Sequence, residues 1–171
     1  MPASERLAWT AEVVGVSPSD RVLEVGCGHG VLVSLLAERL TDGVVIGVDR
    51  SATMIATAAR RNRAAVDAGR VRLAAAVLTA ADLDSSSFDL VVSFNVRAFW
   101  TPPAPEWDVV DRILSPGGRV FVAFSVMKAG SDAQITEAVE RLAGERGLVC
   151  AAVHRGGTSP MESVAVELHR R

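Results

Sequence analysis

From Val22 to the end of the chain, short runs of consecutive apolar residues alternate with stretches whose apolar positions recur every three or four residues. The first pattern fits strands buried on both faces, and the second fits helices that cover them. Strands are predicted at 22–25, 44–48, 71–76 and 88–94, and a fifth, RVFVAF, opens behind Gly117-Gly118. Before them, residues 4–14 read as a short amphipathic helix with Leu7, Ala11 and Val14 on one face, followed by the turn-rich VSPSDR. One long helix is predicted from a Ser51 cap through Met54, Ile55, Ala58 and Ala65 to a stop at Gly69. Trp107, Val110, Ile113 and Leu114 lie at helical spacing up to Ser115-Pro116-Gly117, and Ser131 caps a helix with Ile135, Ala138, Val139 and Leu142 inward. The closing runs LVCAAVHRGG and SVAVELHR are too close for a helical crossover and must pair antiparallel. The pattern predicts an α/β fold: a doubly wound, seven-stranded, mostly parallel sheet with a C-terminal antiparallel hairpin and helices on both faces.

Length and composition narrow this to a single domain over 1–171, with 1–20 as N-terminal helix and cap and 21–171 as core: 171 residues at 49% hydrophobic composition cover both faces of one sheet. Lys+Arg 18 against Asp+Glu 20 gives a net charge of −2 without a long basic run, so nucleic acid is not an expected partner. Cys27 and Cys150 are the only cysteines, with no histidines at zinc spacing, which argues against a disulfide framework or structural metal and for a reducing cytoplasm. Glu5, Arg6 and Glu12 interrupt the N-terminal stretch, so neither a signal sequence nor a membrane span is expected there. A single lysine, Lys128, among abundant alanines suggests the codon bias of a GC-rich bacterial genome.

The chemistry concentrates at the first strand-to-helix turn, VLEVGCGHG, residues 22–30. Such turns bind ligands in open parallel sheets. Gly26 permits the sharp turn, Gly28 removes a Cβ where a ligand lies against the backbone, and Gly30 opens the next helix, whose free N–H groups attract anions. A dinucleotide fingerprint needs G-x-G-x-x-G, whereas Val31 stands where its third glycine belongs. Glu24, two residues before the first glycine, also repels phosphate at short range and favours a cation.

E-x-G-x-G-x-G at 24–30 resembles the first motif of class I methyltransferases that use S-adenosylmethionine (SAM), a ligand carrying an ammonium, a sulfonium and a carboxylate. With VIGVDRSATM, FDLVVSFN and RILSPGGRVFV following in order, the resemblance covers nearly the whole chain. It implies SAM as cofactor, S-adenosylhomocysteine as product, and a cofactor site drawing on Glu24, Gly26, Cys27, Gly28, Gly30 and Asn95. Glu24 would face the ammonium and the helix after Gly30 the carboxylate. Asp49, 49 − 30 = 19 residues past Gly30, would accept the ribose hydroxyls, with Arg50 and Met54 flanking adenine. Where the family has Gly-Asp-Ala after the third strand, this chain has Ala75-Ala76-Val77-Leu78. Adenine binding would then fall to the backbone of Val77 and Leu78, with Thr79 or Asp82 as side-chain help.

In this family the segment after the fourth strand borders the methyl group and the substrate. Here it reads FNVRAFWTPPAPEW, so Asn95, Arg97 and Trp100 are candidate contacts, while Trp107 fits the core of the next helix. The Asn-Pro-Pro or Asp-Pro-Pro tetrapeptide of amino-methylating nucleic-acid enzymes is missing, since Pro102-Pro103 come too late. The expected acceptor is therefore a small molecule, enclosed by residues 1–20 and 95–107, with a homodimer as an option. His29 lies in the glycine turn, and His154 and His169 show no paired carboxylate in the sequence, so no catalytic base is assigned. Hydrolase, Walker-loop and H-E-x-x-H patterns are missing. Two rivals remain: a non-catalytic SAM-binding scaffold, and a nicotinamide-dependent oxidoreductase.

Overall fold

A computed structural model describes residues 4–171. Seven strands form one sheet in the order β3-β2-β1-β4-β5-β7-β6. They are β1 Arg21–Val25, β2 Val44–Asp49, β3 Val71–Ala75, β4 Phe88–Phe94, β5 Leu114–Ser125, β6 Leu148–Gly156 and β7 Ser163–Arg170. The first five run parallel, and β7 inserts antiparallel between β5 and β6. The helices are α1 Glu5–Val14, α2 Val31–Ala37, α3 Ala52–Arg61, α4 Arg63–Asp67, α5 Glu106–Ile113 and α6 Ser131–Gly144. Two 3₁₀ turns, Leu78–Ala80 and Arg97–Phe99, follow β3 and β4.

The strands read as continuous apolar runs because successive side chains enter different cores. Along β1, Val22 packs with Leu36, Val45 and Phe121 beneath α1 and α2, whereas Leu23 and Val25 pack with Val91, Trp107 and Ile113 beneath α5. Trp107 is wholly buried; its indole Nε1 donates to the Phe99 carbonyl at 3.0 Å and its ring meets Phe99 edge-on. Truncating a side chain so placed costs about 3–5 kcal/mol. On the other face Trp9 of α1 lies against Gly156, where a Cβ would come within 2.4 Å of the indole. The strand order reverses between β1 and β4, adjacent parallel strands whose connections leave to opposite sides, and this opens a crevice above their C-terminal ends.

Four local expectations are corrected. The long helix after Ser51 breaks at Asn62, because this buried side chain donates to Gly30 O and Ala58 O at 3.0 Å and accepts from Ser34 Oγ at 2.7 Å. The Ser51 cap itself forms, accepting the Met54 amide. Helix α5 stops at Ile113, and β5 begins at Leu114, with a register shift between Phe88 and Leu90 absorbing the Ser-Pro-Gly-Gly stretch as a bulge. Strand β3 ends one residue early, at Ala75. Gly130, with φ +81°, takes the cap position expected for Ser131, whose hydroxyl instead donates back to Lys128 O. Among the described residues no helix is long and apolar enough to cross a membrane, and no cluster of metal-ligating side chains forms.

Candidate active site

The glycine turn is held by β2. The Gly26 and Cys27 amides donate to Val48 O at 2.8 and 3.0 Å, and the Gly28 amide donates to Asp49 Oδ2 at 2.9 Å. The other Asp49 oxygen accepts the Ser51 amide at 2.8 Å. Each carboxylate oxygen keeps a lone pair, so the pinned carboxylate still has acceptor capacity for a ligand diol. Gly26, Gly28 and Gly30 all have positive φ, yet their surroundings differ. A Cβ on Gly28 would meet nothing within 4 Å among the described residues, leaving open space over the backbone. On Gly30 it would strike Asn62 and Ala58, and on Gly26 it would lie 2.6 Å from the Val96 side chain. Gly28 thus keeps space for a ligand, while Gly30 serves the packing of α2 on α3.

A cleft of about 500 Å³ opens above the C-terminal ends of β1, β2 and β4, within the range of cofactor sites. Gly26, Asp49, Arg50, Val77, Leu78, Asn95 and Arg97 line it. Glu24, Cys27, Gly28, Gly30, Met54 and Trp100 do not. Cys27 is buried in the core beneath α2, where burial and the nearby Glu24 and Asp49 charges push its thiol up to about 12. Trp100 packs on Phe124 at 5.7 Å instead of walling the cleft. Met54 is half-buried behind the Ser51 cap, and the exposed Thr79 and Asp82 stand outside the cleft lining, so neither supplies the expected side-chain help.

Glu24 lies under the turn, 3% exposed, and its Oε2 has no hydrogen-bond partner among the described residues. Burial, reinforced by the Asp49 charge, holds its carboxyl well above the usual carboxylate range, while the Val33 amide acts in the opposite direction. A buried, unpartnered carboxylate is costly, and an approaching cation offsets that cost. The donor set fits SAM: an acid for the ammonium, a pinned acid for the ribose diol, and a bare glycine between.

Asn95, with φ +59°, directly follows β4 and is fixed from β5: its Oδ1 accepts the Ser125 amide at 2.8 Å. Ser125 Oγ in turn accepts from Arg6 of α1 at 2.8 Å, so the N-terminal helix reaches the segment beside the cleft. Residues 1–3 of the expected cap lie outside the described residues. His29 is exposed and not in the lining. His154, expected to lack a carboxylate, lies 2.8 Å from Glu167 across the β6–β7 ladder, away from the cleft. The sequence reading missed Glu106, a half-buried carboxylate of α5 that also lines the cleft. Its only sequence signal is an acid in a helix's first turn, which is commonplace.

Residues 22–118, more than half of the chain, match the methyltransferase domain family. The chain belongs to that family. A methyltransferase of Bacillus subtilis, YdaC, is 29% identical over 133 residues, covering 78% of this chain and 71% of that protein. A malonyl-[acyl-carrier protein] O-methyltransferase from a Marinomonas species is 31% identical, and a ubiquinone biosynthesis O-methyltransferase from Leptothrix cholodnii is 27% identical. These alignments cover 72% and 69% of this chain but only 44% and 49% of those proteins, so the chain spans about half the length of these two relatives. In fold, this methyltransferase resembles a geranyl diphosphate methyltransferase bound to geranyl diphosphate and sinefungin, with a TM-score of 0.76 at 15% identity, covering 96% of this chain and 79% of that one. It resembles the [4+2]-cyclase SpnF equally well, with a TM-score of 0.76 at 15% identity and coverage of 97% and 81%. Family and fold are those of the class I SAM-dependent methyltransferases.

Proposed function

We propose that this protein methylates a small-molecule acceptor, using SAM held across the cleft and releasing S-adenosylhomocysteine. The observation that carries this reading is the Asp49 carboxylate, pinned by the Gly28 and Ser51 amides beside open space over Gly28. Asp49 accepts the ribose hydroxyls, Glu24 neutralises the ammonium, and Arg50 borders the adenine with Val77 and Leu78. Bound there, SAM supplies a methyl group activated by its sulfonium. Asn95, locked by Ser125, shapes the floor on the methyl side, and Arg97 faces the acceptor. The lining combines no histidine with a carboxylate as an acid–base pair, so rate acceleration rests on orientation and exclusion of water. The two relatives named as O-methyltransferases support an oxygen acceptor.

Calorimetric titration with SAM and S-adenosylhomocysteine, beside Asp49→Ala and NADH, tests the reading. Micromolar binding lost in Asp49→Ala is the expected result; preference for NADH overturns it. The similarity to a cyclase favours one competitor, a chain that binds SAM without transferring its methyl. Methyl transfer to phenol and carboxylic acid panels separates the two.

A further inference from the structure

The family's adenine-binding acid is replaced by apolar residues after β3, yet a carboxylate reaches the same cleft from elsewhere. Glu106 opens α5, which packs against the 3₁₀ turn Leu78–Ala80, and its side chain lines the cleft together with Ala76, Val77, Leu78 and Arg97. The next residue, Trp107, is wholly buried and bonded to Phe99 O, so the backbone carrying Glu106 is fixed. Asp108, in the same helical turn, is committed to Arg146 at 2.9 Å on the outer surface. The Glu106 carboxylate makes no ion pair or hydrogen bond among the described residues. The Val77 and Leu78 amides also make no hydrogen bond within the described chain, whereas Ala76 N is taken by Asp49 O.

Free amide donors beside a free carboxylate acceptor match one edge of adenine, where a ring nitrogen accepts next to an amino group that donates. We propose that Glu106 is the residue that reads the adenine amino group, replacing the acid lost after β3 from a different element of the fold. This rests on the SAM reading above and adds a base-selecting residue to it. Hypoxanthine reverses both partners: its ring nitrogen carries a proton and its 6-oxo group accepts. A carboxylate facing that oxygen repels it, and a glutamine in its place donates to it.

The test is calorimetric affinity for S-adenosylhomocysteine against S-inosylhomocysteine, measured on wild type, Glu106→Gln and Glu106→Ala. The expected wild-type preference for the adenine compound is about 30-fold or more, narrowing at least about tenfold in Glu106→Gln and less in Glu106→Ala. Because the readout is a ratio of two ligands on one preparation, partial unfolding of a variant cancels. A preference unchanged in both variants overturns the role of Glu106 while leaving the cofactor reading intact. Equal wild-type affinity for the two compounds also overturns it. Failure of wild type to bind either compound overturns the cofactor reading and this inference together.

Discussion

Asp49 Oδ2 accepts the Gly28 amide at 2.9 Å, joining the tip of β2 to the middle of the glycine turn across 21 residues of chain. The bond fixes a carboxylate beside a backbone that carries no side chain.

Replacing Asp49 therefore removes ligand contacts and loosens the turn together. Asp49→Asn keeps the shape and loses charge; its affinity for S-adenosylhomocysteine should fall by about 2–4 kcal/mol, roughly 30- to 700-fold. Titration calorimetry reads the loss, and affinity unchanged within twofold would remove Asp49 from the site.

Glu24→Gln should move stability and binding in opposite directions. The folded carboxyl binds its proton more tightly than the unfolded one, so wild-type stability declines as pH rises from the ordinary glutamate range through the raised folded pKa. Glutamine has no such titration. The variant should melt higher than wild type at pH 8, by roughly 2–4 °C per kcal/mol relieved, with the gap closing toward pH 4.5. Its affinity for SAM should drop, since the ammonium loses its counter-charge. Melting curves that stay parallel from pH 5 to pH 9 would contradict the burial cost.

Alanine at Gly28 and at Gly30 should separate ligand space from packing. Both positions have positive φ, which costs about 1–2 kcal/mol for a residue with a Cβ. Gly30→Ala adds overlap with Asn62 and Ala58, for a total of about 2–5 kcal/mol in urea unfolding. Gly28→Ala should lose only the backbone cost of about 1–2 kcal/mol, yet bind S-adenosylhomocysteine poorly. Equal losses of stability would refute the distinction.

Neither cysteine should react readily in the native protein. With Cys27 pushed up to about 12 and Cys150 to about 11, mainly by burial, the thiolate fractions at pH 8 are about 10⁻⁴ and 10⁻³. A disulfide reagent should be consumed slowly before denaturant is added and by two equivalents afterwards. Rapid native labelling of Cys27 would show that the turn opens.

The adenine end of the site shows how far residue patterns reach. The family resemblance pointed to Val77 and Leu78, and both line the cleft. It did not point to Glu106, 28 residues beyond Leu78, because its arrival depends on how the β4–α5 connection folds back over the 3₁₀ turn. Trp100 shows the converse. Its neighbours suggested a wall of the site, but Phe124, from a strand beyond it in the chain, offered an apolar surface and took it.

By itself the sequence determined the seven strands, their order along the chain, the reversed last pair and the glycine turn with Asp49 at the next strand tip. Burial on both faces imposes continuous apolar runs, and positive φ demands glycine, so both are written locally. Only the tertiary structure decided that Asn62 breaks a helix to bond Gly30, that Glu24 is buried with no partner for Oε2 among the described residues, and that Glu106 enters the cleft. Each of these joins residues from different crossovers, and their meeting depends on packing between layers that no local pattern encodes.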